Sequence, residues 1–305
     1  MENYIFNSFY LNVGDNHQLY CWEAGNKNGV PFIYLHGGPG GQTSIKDLSF
    51  FDLENSRVIL FDQRGCGKSK PRFYLEENNT NNLIEDIEKI RKRLKIDKWV
   101  VFGGSWGSCL SLLYAQKYPN SVMGLILRGV FLGEKEDWEW TYQSGASFYY
   151  PKEFEEFTSI LNDYQKENII QSYFELLRSD DLNIVKKASY LWAKWEELML
   201  YIVPKEADSD FESNYQISLI ENHYAINNSF LKQKNQIINN MHLIEDIKTY
   251  IVHGRYDLIC KPSSAYEVHK RMKNSDLKFV QLAAHSSREK AIQQFLLEAT
   301  NKFLK

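Results

Sequence analysis

The stretch Trp99-Val100-Val101-Phe102-Gly103-Gly104-Ser105-Trp106-Gly107-Ser108 leaves this chain few ways to fold. Trp99 to Phe102 is an apolar run that reads as a buried strand. Gly-x-Ser-x-Gly follows, from Gly103 to Gly107. Cys109-Leu110-Ser111-Leu112-Leu113-Tyr114-Ala115 then reads as a helix packed back on that strand. A strand that turns into a helix so sharply needs small residues on both sides of its apex. The serine at the apex is lifted above the sheet, at a helix N-terminus whose free N–H groups favour developing negative charge. An idle glycine-rich turn has the same local pattern, so the rest of the chain must decide between them.

The length of 305 residues and a 43% hydrophobic content suit one elaborated α/β domain, or a domain with an insert. A formal net charge of -3 gives no electrostatic case for nucleic acid or an anionic membrane. No apolar run is long enough to span a bilayer. Met1-Glu2-Asn3-Tyr4-Ile5-Phe6 lacks the basic and apolar regions of a signal peptide, which predicts a cytoplasmic protein. Cys21, Cys66, Cys109 and Cys260 are scattered with no C-x-x-C spacing. They read as buried free thiols rather than as disulfides or a metal site.

Taken in order, Phe6 to Leu11 and Leu19 to Glu23 predict a hairpin turning at Gly14-Asp15-Asn16. Val30 to Leu35 predicts a central strand that ends in His36-Gly37-Gly38-Pro39-Gly40-Gly41. A tight turn needs one or two glycines. Four around a proline let backbone N–H groups approach a ligand. Arg57 to Phe61 is the next strand, and it runs into Asp62-Gln63-Arg64-Gly65-Cys66-Gly67-Lys68-Ser69. That loop lacks the upstream glycine of a phosphate loop, so nucleotide binding is rejected. Asp62 and Arg64 are expected to hold it by a local ion pair. Asn82 to Leu94 has helical periodicity, and Val122 to Leu127 is another strand, ending at Arg128-Gly129.

From Gly133 to about Ile244 the short apolar strands give way to helical spacing rich in aromatics, and strand pattern resumes at Thr249 to Val252. The expected division is therefore residues 1–132 and 245–305 for the core, with a helical cap over 133–244. The resumed strand ends in His253-Gly254-Arg255-Tyr256-Asp257. Ser263 to Met272 predicts a helix, Leu277 to Leu282 the last strand before Ala283-Ala284-His285, and Arg288 to Leu304 the closing helix.

Ser105, Asp257 and His285 thus appear in the chain order of the α/β-hydrolase triad, each just past a predicted strand. The expected fold is an α/β-hydrolase with a mostly parallel central sheet and an inserted cap. A serine hydroxyl needs a base, and the histidine needs a carboxylate to fix its tautomer. His285 is assigned as base and then acid, Asp257 as its orienter. The N–H groups of Gly38 (or Gly37) and Trp106 are assigned to the oxyanion. His36 is expected to brace the glycine loop, and neither it nor His253 follows the acid in the chain. Epoxide hydrolases and dehalogenases need an aspartate at position 105, and an intact triad argues against a non-catalytic binding module.

His36-Gly37-Gly38-Pro39-Gly40-Gly41, Asp62 to Ser69, Gly103 to Ser108 and His253 to Asp257 together resemble the signature loops of the prolyl aminopeptidases, also called proline iminopeptidases. The resemblance extends into Trp192-x-x-Trp195-Glu196, Glu221-Asn222-His223-Tyr224 and Tyr142-Gln143-x-Gly145-Ala146. It departs at Lys68, Cys109, Lys261 and Ala284, none of which removes a catalytic group. The resemblance implies a serine exopeptidase that takes an N-terminal residue, preferably proline, from short peptides with a free N-terminus. It implies no cofactor and no metal. It also implies that Glu196 and Glu221 bind the substrate α-amino group. Two carboxylates converging on an amine suit that task, and without the cation one of them should have a raised pKa. Glu197 is read as a solvated helix-face residue. A small-molecule esterase or amidase is the rival within the fold, and would not need Glu196.

Overall fold

The computed structural model describes residues 1–14, 16–204 and 210–304. Eight strands form one sheet: β1 (Ile5–Gly14), β2 (His17–Gly25), β3 (Val30–Leu35), β4 (Ser56–Phe61), β5 (Trp99–Gly104), β6 (Val122–Arg128), β7 (Thr249–Gly254) and β8 (Ser275–Val280), in the order β1-β2-β4-β3-β5-β6-β7-β8. β1 pairs antiparallel with β2, and β2 with β4; every pairing from β4 onward is parallel. The sheet is therefore mostly parallel, as expected of an α/β-hydrolase.

Strand β5 is buried along its whole length because both faces of the sheet are covered. Trp99 and Val101 point into a core shared with α1 (Thr80–Arg93) and α2 (Trp106–Lys117), through Ile87, Leu110 and Leu113. Val100 and Phe102 point to the opposite face, against Phe50, Phe51 and the final helix, through Leu296 and Ala299. This two-sided burial explains why the central strands are continuous apolar runs rather than alternating ones.

Between β6 and β7 the described chain adds no strand to the sheet. It runs through α3 (Lys135–Tyr142), α4 (Pro151–Phe157), α5 (Asp163–Lys166), α6 (Ile169–Leu176), α7 (Leu182–Met199), α8 (Phe211–Ile226) and α9 (Gln236–Asn239). After β7 come α10 (Pro262–His269) and, beyond β8, α11 (Lys290–Asn301). No helix of the described residues is long and apolar enough to cross a membrane.

Several boundaries differ from the sequence expectation for local reasons. The hairpin strands are longer than expected, and Asp15 of the expected turn lies outside the described residues. α1 starts at Thr80 because the Asn79 side chain accepts the Asn82 N–H at 3.0 Å, an N-cap that reaches two residues further back. β8 stops at Val280, since Leu282 has φ of +52° and is exposed. The expected Asp62–Arg64 ion pair is corrected. Arg64 instead makes a two-pronged bond to Asp86 of α1, at 2.6 and 2.9 Å. Asp62 accepts from Thr43 and from the Lys68 N–H.

Candidate active site

The apex of the elbow is strained. Ser105 has φ of +56° and ψ of -127°, outside the ordinary regions for a residue with a side chain, a state that costs about 1–3 kcal/mol. It is held there by its N–H bond to the Arg128 carbonyl at 2.8 Å, and by the Ser108 hydroxyl donating to the Ser105 carbonyl at 2.7 Å. The flanking glycines are required by contact. A Cβ on Gly103 would lie 2.0 Å from the Gly107 carbonyl oxygen, and one on Gly107 would lie 2.1 Å from that of Leu35.

β7 and β8 deliver the other two groups to the same edge. Asp257 Oδ1 accepts the N–H groups of Ile259 and Cys260 at 3.0 and 2.8 Å, and Oδ2 lies 2.7 Å from His285 Nδ1. Burial pushes the Asp257 carboxyl up, but the charge and hydrogen bond of His285, with His253 and the Cys260 N–H, outweigh it and leave it below the ordinary carboxylate range. Asp257 is thus an anion bonded to one nitrogen of His285. The proton then sits on Nδ1, and Nε2 keeps its lone pair.

That lone pair faces Arg128, whose Nη1 donates to Nε2 at 2.9 Å. Ser105 Oγ meets the Cys260 thiol at 4.0 Å. Among the described residues no hydrogen bond joins Ser105 to His285, and catalytic bonds of this kind tighten when substrate binds.

His36 and His253, the two rivals for the base, are occupied by backbone. His36 Nδ1 donates to the Gly37 carbonyl at 2.9 Å, and Nε2 accepts the Gln63 N–H at 3.0 Å. It therefore braces the glycine loop. His253 Nδ1 accepts the Val130 N–H at 3.1 Å, and Nε2 donates to the Cys260 carbonyl at 2.8 Å. Burial lowers the pKa of both rings, which keeps them neutral.

Gly37 abuts the serine so closely that a Cβ there would stand 3.2 Å from Ser105 Cβ. Trp106 is the first residue of α2, so its N–H has no acceptor within the helix. A small cavity opens above these groups, lined by Gly38, Ser105, Phe131, Trp138, Glu196 and Glu221. The aromatics give it apolar walls, and the two carboxylates supply the polar end.

Glu221 is only 1% exposed. Its Oε2 accepts from Trp192 Nε1 at 2.8 Å and from the Tyr142 hydroxyl at 3.1 Å, and that hydroxyl lies 3.4 Å from Glu196 Oε2. Burial first, and then the charge of Glu196, push the Glu221 carboxyl well above its usual range. The expected raised member of the pair is therefore Glu221. Glu196 also borders a second, more open cavity of about 260 Å³, with Gly40, Gly41, Glu197 and Leu200 in its wall. Glu197 is half-buried there.

All four cysteines are buried and free. No group of three His, Cys, Asp or Glu among the described residues could hold a metal ion. Two site residues escaped the sequence reading: Arg128, and the Cys260 thiol beside Ser105. Arg128 had the same signal as Asp257 and His285, a polar residue at the carboxyl end of a predicted strand.

Residues 30–289 match the model of the alpha/beta hydrolase fold family. The chain is 42% identical over 302 residues to a proline iminopeptidase of Arabidopsis thaliana, covering 97% of this chain and 80% of the relative. It is 40% identical over 300 residues to a proline iminopeptidase of Neisseria meningitidis serogroup A, covering 98% of this chain and 96% of the relative. Among solved structures it is similar to the proline iminopeptidase of Mycobacterium smegmatis, with a TM-score of 0.63, 17% identity, and coverage of 98% of this chain and 97% of the other. That last likeness concerns the fold.

Proposed function

Because the chain belongs to the proline iminopeptidase family of α/β-hydrolases, we propose that it releases N-terminal proline from short peptides through an acyl-enzyme on Ser105. The observation that carries this reading is that one small cavity is lined by Ser105, Gly38 and both glutamates. An exopeptidase must measure one residue from a charged amine to the bond it cuts, and this cavity has both a carboxylate pair and a nucleophile in its lining.

In this reading the protonated imino group of proline lies between Glu196 and Glu221 as charge-assisted hydrogen bonds. The pyrrolidine ring rests against Phe131 and Trp138. The carbonyl oxygen points to the N–H groups of Gly38 and Trp106. Ser105 Oγ attacks the carbonyl carbon while His285 Nε2 takes its proton, and Asp257 stabilises the imidazolium. The tetrahedral oxyanion is held by the two N–H groups, each worth about 3–4 kcal/mol in the transition state. His285 returns the proton to the leaving nitrogen, the C–N bond breaks, and prolyl-Ser105 remains. Water, deprotonated by His285, then releases proline.

The helices of residues 133–244 act as a cap on the core formed by residues 1–132 and 245–305, and the enzyme works in the cytoplasm on peptides with a free N-terminus. The test is hydrolysis of a chromogenic prolyl amide with its amine free, beside the N-acetylated compound and the alanyl and leucyl amides. Best cleavage of the free prolyl compound is expected. Equal cleavage of the acetylated form would remove the amine-binding role of Glu196 and Glu221 and leave a general esterase or amidase.

A further inference from the structure

Arg128 ends β6 and has no part in the reaction just described. Its side chain sits against His285 and is only 8% exposed. Nη1 donates to His285 Nε2 at 2.9 Å and to the His285 carbonyl at 3.0 Å, and Nε is buried without a partner. Among the described residues no carboxylate lies within ion-pair distance of it. Arg288 and Lys261 are committed elsewhere, to Asp47 at 2.5 Å and to Asp137 at 3.0 Å. A buried guanidinium is normally matched by an anion, because desolvating it alone is expensive. Among the described residues the matching anion is absent, and the cation touches the nitrogen that performs the proton transfer.

We propose that Arg128 binds the free carboxylate of the leaving residue, so that dipeptides beginning with proline are the favoured substrates. This rests on the aminopeptidase reading above. The geometry follows from the chemistry. To receive its proton, the leaving nitrogen must come within about 3 Å of His285 Nε2. Arg128 Nη1 is 2.9 Å from the same atom. The two nitrogens are therefore at most about 6 Å apart, with His285 between them. In an amino acid the carboxylate carbon is only two bonds from the nitrogen. A carboxylate on the second residue reaches the guanidinium directly, whereas one on a third residue is displaced by a whole residue length. Docking also changes the base. Arg128 occupies the Nε2 lone pair that must accept the Ser105 proton. A carboxylate that draws the guanidinium to itself returns that lone pair to Ser105. No covalent step is added to the hydrolysis.

The test compares kcat/KM for Pro-Gly, Pro-glycinamide and Pro-Gly-Gly in the unaltered enzyme and in Arg128→Gln and Arg128→Lys. Glycinamide is the less basic leaving group, so intrinsic reactivity does not favour Pro-Gly. The unaltered enzyme is expected to prefer Pro-Gly over both others by about tenfold or more, the size of one charge-assisted bond. Arg128→Gln, which keeps a donor without the charge, should bring that ratio close to one, and Arg128→Lys should keep part of it. Free glycine should inhibit the unaltered enzyme better than glycinamide. A ratio near one in the unaltered enzyme overturns the proposal, and needs no variant to fold. So does a ratio that survives in Arg128→Gln. If the unaltered enzyme cleaves no free-amine prolyl amide at all, the parent reading fails instead.

Discussion

Replacing Glu221 with glutamine separates the two things its carboxyl does. The side chain keeps its shape and an oxygen to accept from Trp192 and Tyr142, which donate at 2.8 and 3.1 Å. What it loses is the negative charge. A hydrogen bond to a charged partner is worth about 1.5–3 kcal/mol. Glu221→Gln should therefore lower kcat/KM for a free-amine prolyl amide by about ten- to a hundredfold. The loss should depend on pH, because burial and the Glu196 charge hold the Glu221 carboxyl well above its usual range. At low pH it is protonated in the empty enzyme and must release that proton to meet the substrate cation. The activity of the unaltered enzyme then rises as pH passes the raised pKa, and the gap to the glutamine variant widens with it. Stability carries the opposite sign. A carboxyl whose pKa is raised by folding contributes stability below its unfolded value, about 4.3, and loses it as pH climbs through the folded value. Relative to the unaltered enzyme, Glu221→Gln should thus become progressively more heat-stable as pH rises above the unfolded value of about 4.3. The assays are kcat/KM against pH and thermal unfolding against pH. A variant with unaltered kcat/KM, or a deficit that ignores pH while the melting difference also stays flat, would refute the role given to the raised Glu221 carboxyl.

Three further outcomes follow from the same geometry. Asp257→Asn should lower kcat by roughly 10³–10⁴ with little change in KM, because the amide favours the wrong tautomer of His285; steady-state kinetics read this directly. Gly103→Ala puts a Cβ 2.0 Å from the Gly107 carbonyl oxygen, so the elbow must open. Labelling of Ser105 by a phosphonylating reagent should collapse, with a loss of at least about 1–3 kcal/mol in denaturant unfolding. Arg64→Met leaves Asp86 buried without its two-pronged partner at 2.6 and 2.9 Å, and should cost about 3–5 kcal/mol of folding stability; an unchanged denaturation midpoint would show that Asp86 is compensated by other groups.

How far the site could be read from the chain depends on whether each residue's role is local. Ser105, Asp257 and His285 stand at the ends of apolar runs. A parallel sheet brings all such ends to one edge, so strand order alone places them together. The glutamates are different. Glu196 and Glu221 sit on α7 and α8, and α8 buries Asn214, Gln216, Ser218 and Asn222 beside Glu221. With polar groups buried around the helix, periodicity says nothing about which side faces inward, and only the family resemblance singled those two out. The Asp62–Arg64 expectation erred for a related reason. The nearest opposite charge along the chain was taken as the partner, whereas the loop folds so that Arg64 reaches Asp86, 22 residues on, in a site dry enough to reward a planar two-pronged bond. Arg128 lay in plain view at a strand end and was passed over because the hydrolytic mechanism has no vacancy for a cation. Its meaning depends on an absence: no carboxylate among the described residues answers it. A missing partner is a property of the folded surroundings, so it becomes legible only when the neighbours from β7, β8 and the elbow are in place around it.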